Sequence, residues 1–596
     1  MCCRPCYAGS NSTWPAEGEI MKRKQRRSLN NRQLISITLV IVLALCILCV
    51  FLAVLIGLLT SSSPGKSQEA PTPADPRSAV LTLAYSPEKA ELITLLAEAF
   101  NSKRQRTPDG RQMAVRLVAM PPDQMVDAAL GDHPGFEALN PDASLWLDQL
   151  DLRWAELHRD EQSEVAPRRV AASARYAVSP IVIAAWPEVA KELGWGSRPV
   201  GWTDLQKRAA EDPDFRWSHA STGYASGMLA TLAEFYAGAG KTRGLTEEDV
   251  TAQATLDYVQ SIEHTVSFYG ENEAVAMQQL REKGRDFLHA LVVQEALVVQ
   301  HNASGGDPLV AIYPHEGTLW EDHPLALLDA PHVTDNQRRT FQAFAEFLRE
   351  PEQQKLVLSH GFRPADLSIP IDTPDSPIKL ALGADPKEPQ TTLQMPGPSV
   401  VQVVQNVWWY TKRPSNIFLV VDTSGSMSGE KLENVRTALK VFVSQIKGTQ
   451  DRVGMVEFAG SVYNIVPLQV VDDSHRRWLL DEIEQLEAGG DTALIDAVRA
   501  AFVRLQREND ADRINAIVAM TDGLENASST RLSTLRRMIQ EQNSTGQARI
   551  VIFTIAYGDN ADLNTLRALA EVSGGQMRQG DIETIRELYR ILSQYF

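Results

Sequence analysis

From Asn416 to the C-terminus short apolar runs alternate with amphipathic helical stretches, and this pattern restricts the chain more than any other feature. Residues 417–421, 452–458, 514–521 and 550–556 read as strands. Strands separated by helices lie parallel, because each crossover helix covers a face of the sheet. The expected fold is therefore α/β, doubly wound. The helix after the first strand places Leu432, Val435, Leu439, Phe442 and Ile446 at spacings of three and four, with Glu430, Lys431, Arg436 and Lys440 largely outside that stripe. A later helix repeats the pattern with Leu494, Val498, Phe502 and Leu505.

In an open sheet of this kind ligands bind where strands end and helices begin. The first such turn reads Asp422-Thr423-Ser424-Gly425-Ser426-Met427, a later loop Gly489-Gly490-Asp491-Thr492, and the 514–521 strand runs into Asp522-Gly523. Hydroxyls backed by carboxylates suit a hard cation such as Mg2+, which takes oxygen ligands and keeps several waters. Asp422, Ser424, Ser426, Thr492 and Asp522 are the candidate metal ligands. On these residues the segment 416–596 resembles a von Willebrand factor A (VWA) domain, Rossmann-like and doubly wound, and the D-x-S-x-S turn resembles its metal-ion-dependent adhesion site. The resemblance implies that both Ser and the Thr bind Mg2+, or another divalent cation such as Mn2+ or Ca2+, directly, and that the Asp residues act through water. It also implies a protein partner that supplies a carboxylate to the metal.

A chain of 596 residues is too long for one hydrophobic core. Residues 34–59 are apolar and uncharged, and as a helix they reach roughly 39 Å, beyond a hydrocarbon core of about 30 Å. Lys22, Arg23, Lys24, Arg26 and Arg27 precede them, which keeps residues 1–33 in the cytoplasm and sends the bulk of the chain to the extracellular or periplasmic side. The expectation is a single-pass anchor in the cell membrane. Cys2, Cys3 and Cys6 precede this span, Cys46 and Cys49 lie inside it, and no cysteine follows, so the exported part relies on its cores rather than on disulfides. Residues 60–78 form a Ser- and Pro-rich linker. A second linker, 386–415, carries a helix near 399–412 whose Trp408 and Trp409 are expected at a domain junction. The net charge of -17 repels a phosphate backbone, which excludes nucleic acid as partner.

Between the linkers, 79–385 alternates strands at 80–84 and 115–120, a crossing segment at 176–185 and a late helix near 339–349. With Tyr85-Ser86-Pro87, Tyr176-Ala177-Val178-Ser179-Pro180, residues 221–227, Ile312-Tyr313-Pro314-His315-Glu316-Gly317-Thr318 and Gly361-Phe362-Arg363-Pro364 it resembles a two-lobed type 2 periplasmic solute-binding protein. Ser86 before Pro87, and Ser226 with Gly227, are helix starts. Either they only cap helices, or free N–H groups there face a cleft and hold an anion or polar small ligand. Ser86, Ser221, Thr222, Ser226 and Tyr313 are the candidate cleft residues. Prolines in Ala119-Met120-Pro121-Pro122-Asp123 remove N–H donors, which speaks against molybdate or sulfate.

No catalytic constellation emerges. Gly238-Ala239-Gly240-Lys241-Thr242 lacks the first glycine of a phosphate loop, where Phe235 stands, and the chain holds no H-E-x-x-H. Ser86-Pro87-Glu88-Lys89 fits S-x-x-K without the companion motifs of penicillin-binding enzymes. The sequence therefore describes a binder rather than an enzyme, a membrane-anchored, envelope-facing recognition protein. A substrate-capture accessory of an ABC-type transporter and an assembly factor or chaperone for a partner enzyme are the alternatives.

Overall fold

The computed structural model describes residues 77–158, 166–270, 272–544, 547–558, 560–581, 584–593 and 595–596. The expected membrane span at 34–59, its basic flank and all five cysteines lie outside the described residues. Among the described residues no helix is long and apolar enough to cross a membrane.

The first lobe opens with β1 (Val80–Tyr85), followed by α1 (Ala90–Ser102), β2 (Ala114–Ala119), β3 (Ala138–Asn140), α2 (Leu145–Leu157) and β4 (Val170–Arg175). Helix α1 covers the sheet with Leu92, Ile93, Leu96 and Phe100, a stripe of three- and four-residue spacings. After Tyr176 the chain enters the second lobe as β5 (Ala177–Ala185). There follow β6 (Trp217–Ala220), α3 (Ala225–Gly238), α4 (Gln253–Glu263), β7 (Tyr269–Gly270), α5 (Glu273–Lys283), β8 (Ala290–Gln294), α6 (Glu295–Ala303), β9 (Val310–Ile312) and β10 (Trp320–Glu321). The chain then returns to the first lobe as β11 (Pro324–Leu328) and α7 (Asp335–Leu348), and touches the second again through β12 (Arg363–Pro364). The sheets have the orders β2-β1-β3-β11-β4 and β10-β5-β8-β6-β7, with β9 and β12 also on β5. The passages β4 to β5 and β10 to β11 thus link the lobes. Helix α7 begins four residues before the expected 339, because Thr334 accepts from the Gln337 amide while the Gln337 side chain accepts from the Thr334 amide.

Helix α8 (Pro398–Thr411) leads into the C-terminal domain, which contains β13 (Ser415–Asp422), α9 (Glu430–Gln445), β14 (Arg452–Phe458), β15 (Val462–Val470), α10 (Leu494–Glu508), β16 (Ile514–Thr521), α11 (Leu532–Ser544), β17 (Ile550–Tyr557), α12 (Leu563–Ser573), β18 (Met577–Gly580) and α13 (Ile585–Ser593). Its sheet runs β15-β14-β13-β16-β17-β18, all neighbours parallel except the β14–β15 hairpin. The strand order reverses between β13 and β16, so the crevice outside their carboxyl ends is where a doubly wound sheet receives a ligand. The stripes of α9 and α10 bury all nine expected apolar residues.

Helix α8 is an integral wedge at the junction, with Val400, Val401, Val404 and Trp408 buried. Trp408 donates through Nε1 to Glu263 at 2.9 Å and meets Tyr269 edge-on at 5.0 Å. Beside it the buried Lys412 donates to Asp451 at 3.0 Å and to the Phe596 carbonyl. Tyr595 stacks on Phe268 of the second lobe at 6.1 Å.

Candidate functional site

At the switch point β13 delivers Asp422 with its carboxylate already engaged. Oδ1 accepts from the Ser424 amide at 2.7 Å and Oδ2 from the Thr521 hydroxyl, which anchors the β13 turn to β16. Burial pushes the Asp422 carboxyl up, the nearby Asp522 charge adds to this, and the Thr521 and Ser424 bonds oppose it. The turn then presents Ser424 and Ser426 side by side, their hydroxyl oxygens 3.2 Å apart. Ser426 donates to Asp522 Oδ1 at 2.6 Å.

Thr492 arrives from the loop before α10, where its amide donates to Asn526 at 2.8 Å. A Cβ built on Gly523 would stand 3.0 Å from Thr492 Oγ1 and 3.5 Å from Ser426 Oγ, so both hydroxyls close on the same point as Asp522. Gly490, with φ +86°, and Gly425 let the two loops meet: the Gly425 amide donates to the Gly490 carbonyl at 3.0 Å. Around this point lies a surface hollow of about 630 Å³, lined among others by Ser424, Ser426, Thr492, Asp522, Leu524 and Asn526. Leu524 is 64% exposed at its rim. The side chains that could ligate here offer hard oxygen donors, which fits a small divalent cation. One neighbour escapes sequence reasoning: Lys431, in the first turn of α9, places its ammonium on Asp522 Oδ2.

The five cleft candidates separate. Tyr313 stands apart: its hydroxyl donates to Glu295, accepts from the Asp385 amide at 3.1 Å, and belongs to a buried pair of Glu295 with Arg363 at 2.6 Å. Ser86 occupies the cap position without capping; its hydroxyl donates to Glu88 at 2.6 Å, and a 3-10 turn over Pro87–Lys89 precedes α1. Ser221, Thr222 and Ser226 are buried around the start of α3, which begins at Ala225, one residue before the expected Ser226. The Ser221 and Ser226 hydroxyls have no hydrogen-bond partner among the described residues.

An anion expected at that helix start meets a carboxylate of the chain itself. Asp142, just beyond β3 in the first lobe, accepts from the Ala225 amide at 3.2 Å and from Trp146 Nε1 at 2.8 Å. Around it the lobes enclose Glu88, Lys89, Glu273, Glu321 and His323. Lys89 donates to the Pro141 carbonyl at 2.7 Å and to His323 Nδ1 at 3.1 Å. Burial, reinforced by Glu88, pushes Asp142 up to about 7 against the pull of Lys89. Burial likewise raises Glu273 to about 8 and Glu321 well above the carboxylate range, and with the Lys89 charge drives His323 well below its ordinary value. Gln294 Oε1 and Glu321 Oε1 are buried acceptors without partners among the described residues. None of these acids carries a sequence signal beyond a turn at Asn140-Pro141-Asp142.

Comparison with known proteins assigns both regions. Residues 416–590 match the family model of the von Willebrand factor type A domain, and residues 81–363 match that of a bacterial extracellular solute-binding protein. The second match suggests a periplasmic or extracellular location. The uncharacterized protein YfbK of Escherichia coli (strain K12) is 26% identical over 180 residues, covering 30% of this chain and 30% of that protein. Inter-alpha-trypsin inhibitor heavy chain H2 of Mesocricetus auratus is 26% identical over 195 residues, 30% of this chain and 20% of its own length. The chain thus spans less than a third of these relatives. Among solved structures, a von Willebrand factor type A protein from Catenulispora acidiphila is 20% identical, covering 31% of this chain and 43% of that one, with a TM-score of 0.27. The periplasmic binding protein AfuA from Actinobacillus pleuropneumoniae is 14% identical, covering 56% and 99%, with a TM-score of 0.38.

Proposed function

We propose that this chain is a divalent-cation-dependent recognition protein, anchored by residues 34–59 with its two binding domains outside the cell membrane. The observation that carries this reading is the convergence of Ser424, Ser426, Thr492 and Asp522 on one point at the β13–β16 switch. The three hydroxyls would hold Mg2+, or Mn2+ or Ca2+, while Asp422 and Asp522 orient the hydroxyls and offset the charge. A bound cation supplies a Lewis-acidic centre for a carboxylate of a protein partner. Asp422 holds the turn in shape through Ser424 and Thr521, and the exposed Leu524 offers the partner an apolar contact beside the charge.

The interlobe site adds a second binding function, and its chemistry favours a small ligand that donates hydrogen bonds. Gln294 Oε1 and Glu321 Oε1 are acceptors without partners among the described residues, and four carboxyl groups outnumber the one lysine. Amines or polyols fit this inventory and oxyanions do not.

The test uses full-length protein and partner-bearing extracts in Mg2+ or in chelator, with Asp422→Ala and Ser426→Ala alongside wild type. Capture that needs the cation and is lost in both variants is expected; capture unchanged by chelation and by both substitutions would falsify the reading. For the cleft, a thermal-shift screen of amines, polyols and oxyanions on the same protein is expected to register the first two groups. A ligand at 100 times its Kd adds about 2.7 kcal/mol. Stabilisation by oxyanions alone rejects the inventory.

A further inference from the structure

Two turns of α3 beyond Ser226, in the interior of the second lobe, three ionisable side chains converge. They are His219 on β6, Glu234 on α3 and Glu263 at the end of α4. Their ligating atoms all lie within 4.8 Å of one another, and all three residues are fully buried.

The bonds around them fix which atoms are free. His219 Nδ1 stands 2.7 Å from the Ala220 carbonyl, which can only accept, so Nδ1 carries the proton and a neutral ring turns its lone pair outward at Nε2. That nitrogen faces Glu263 Oε2 at 3.3 Å. The Glu263 carboxylate is itself held from behind, by the Tyr269 hydroxyl at 2.8 Å and Trp408 Nε1 at 2.9 Å. Glu234 closes the group with both carboxyl oxygens buried and without a hydrogen-bond partner among the described residues.

Acceptors facing one another in the interior are costly, since an ionised group taken out of water without a partner loses its solvation. A second proton on His219 would pair it with Glu263 and still leave Glu234 with nothing to bond. A proton on Glu234 would remove its charge and still leave its oxygens unpartnered. A dication at the centre answers all three, because two carboxylates neutralise it and a neutral imidazole completes the donor set. The surroundings are those of an oriented metal ligand set: a backbone carbonyl takes the far N–H of the histidine, and an indole and a phenol hold the carboxylate.

We propose that His219, Glu234 and Glu263 form a structural site for a divalent transition metal of the zinc class, with water in the fourth position. Zinc accepts four ligands from imidazole and carboxylate, whereas Mg2+ asks for near-octahedral oxygen and retains several waters, so an imidazole nitrogen among three protein donors suits zinc. The ion ties β6, α3 and α4 together. Through Trp408 it also fastens α8, the helix that runs directly into β13, so it holds the solute-binding domain against the route to the cation site of the second domain.

Elemental analysis of the full-length chain, purified with Mg2+ and no chelator, is expected to give about one zinc per chain. Glu234→Gln and His219→Ala lose it, while Ser424→Ala combined with Ser426→Ala keeps it and so separates this ion from the one at the β13 turn. Co2+ in place of zinc gives the strong visible absorption of a four-coordinate ion in wild type and none in Glu234→Gln. Because a change in a buried cluster can unfold the lobe, the second measurement is thermal unfolding in the Ser424→Ala, Ser426→Ala background, where chelation lowers the Tm. A folded wild-type chain that holds less than about a tenth of an equivalent of metal, takes up neither Zn2+ nor Co2+, and melts in that background at the same temperature with or without chelator overturns the site.

Discussion

Lys431 sets the terms for a site that it does not build. Its ammonium sits on Asp522, the carboxylate that also receives the Ser426 hydroxyl, so a divalent ion at the three hydroxyls must share Asp522 with it or displace it. Lys431→Met removes the competitor and a positive charge. Calorimetric titration with Mg2+ is expected to show tighter binding by about tenfold, or about 1.4 kcal/mol; affinity that is unchanged or weaker means that Lys431 does not compete. The five oxygen-bearing residues carry a sequence signal because each lies at or near a strand end or a helix start, and such positions border the crevice of a doubly wound sheet. Lys431 carries none. Its place outside the apolar stripe of α9 says only that it avoids the core, and the long side chain reaches Asp522 because β16 happens to end beside it.

Helix α3 carries the cleft and the buried cluster on one rod, and its first turn decides how closely it approaches the sheet. A Cβ on Gly227 would stand 2.1 Å from the Ala220 carbonyl oxygen and 2.3 Å from that of Ser221, so only glycine lets the helix sit against the end of β6. Gly227→Ala is expected to destabilise the protein by about 1–3 kcal/mol in denaturant unfolding, the usual range for overpacking a filled site. A variant as stable as wild type would show that the helix can retreat at no cost. From sequence, Ser226-Gly227 looks like a helix start because both residue types are common there. In the structure the cap position belongs to Tyr224, and the glycine serves a close approach between elements that local spacing does not report. The strands at Arg452–Phe458 and Ile514–Thr521 were legible to the residue, since a strand buried in the middle of a sheet reads as a mostly apolar run wherever it packs.

For the molecule as a whole, the closed lobes concentrate acid. Asp142 and Glu273 are raised to about 7 and about 8, so between about pH 4 and pH 8 the native state binds more protons than the unfolded chain. Stability from these groups is therefore full in acid and falls as pH rises through that window, by at most about 1.4 kcal/mol per pH unit for each group while it titrates. Glu88, Lys89, Glu321 and His323 face the same space, and burial raises Glu321 and lowers Lys89 and His323 there. Asp142→Asn with Glu273→Gln removes this dependence, so the Tm of the variant relative to wild type is expected to climb from pH 5 to pH 8. A constant difference would mean that neither carboxyl is strained. The sequence by itself determined the two α/β domains, most of their strands and the oxygen-rich turn at Asp422, because hydrophobic period and turn chemistry are local properties. Only the tertiary structure decided that the α3 start bonds Asp142 of the other lobe, that Tyr313 belongs to a salt-bridged pair, and that His219, Glu234 and Glu263 meet. The bonds His219–Glu263, Arg363–Glu295 and Ala225–Asp142 join residues 44, 68 and 83 positions apart, and chain folding rather than sequence spacing brings them together.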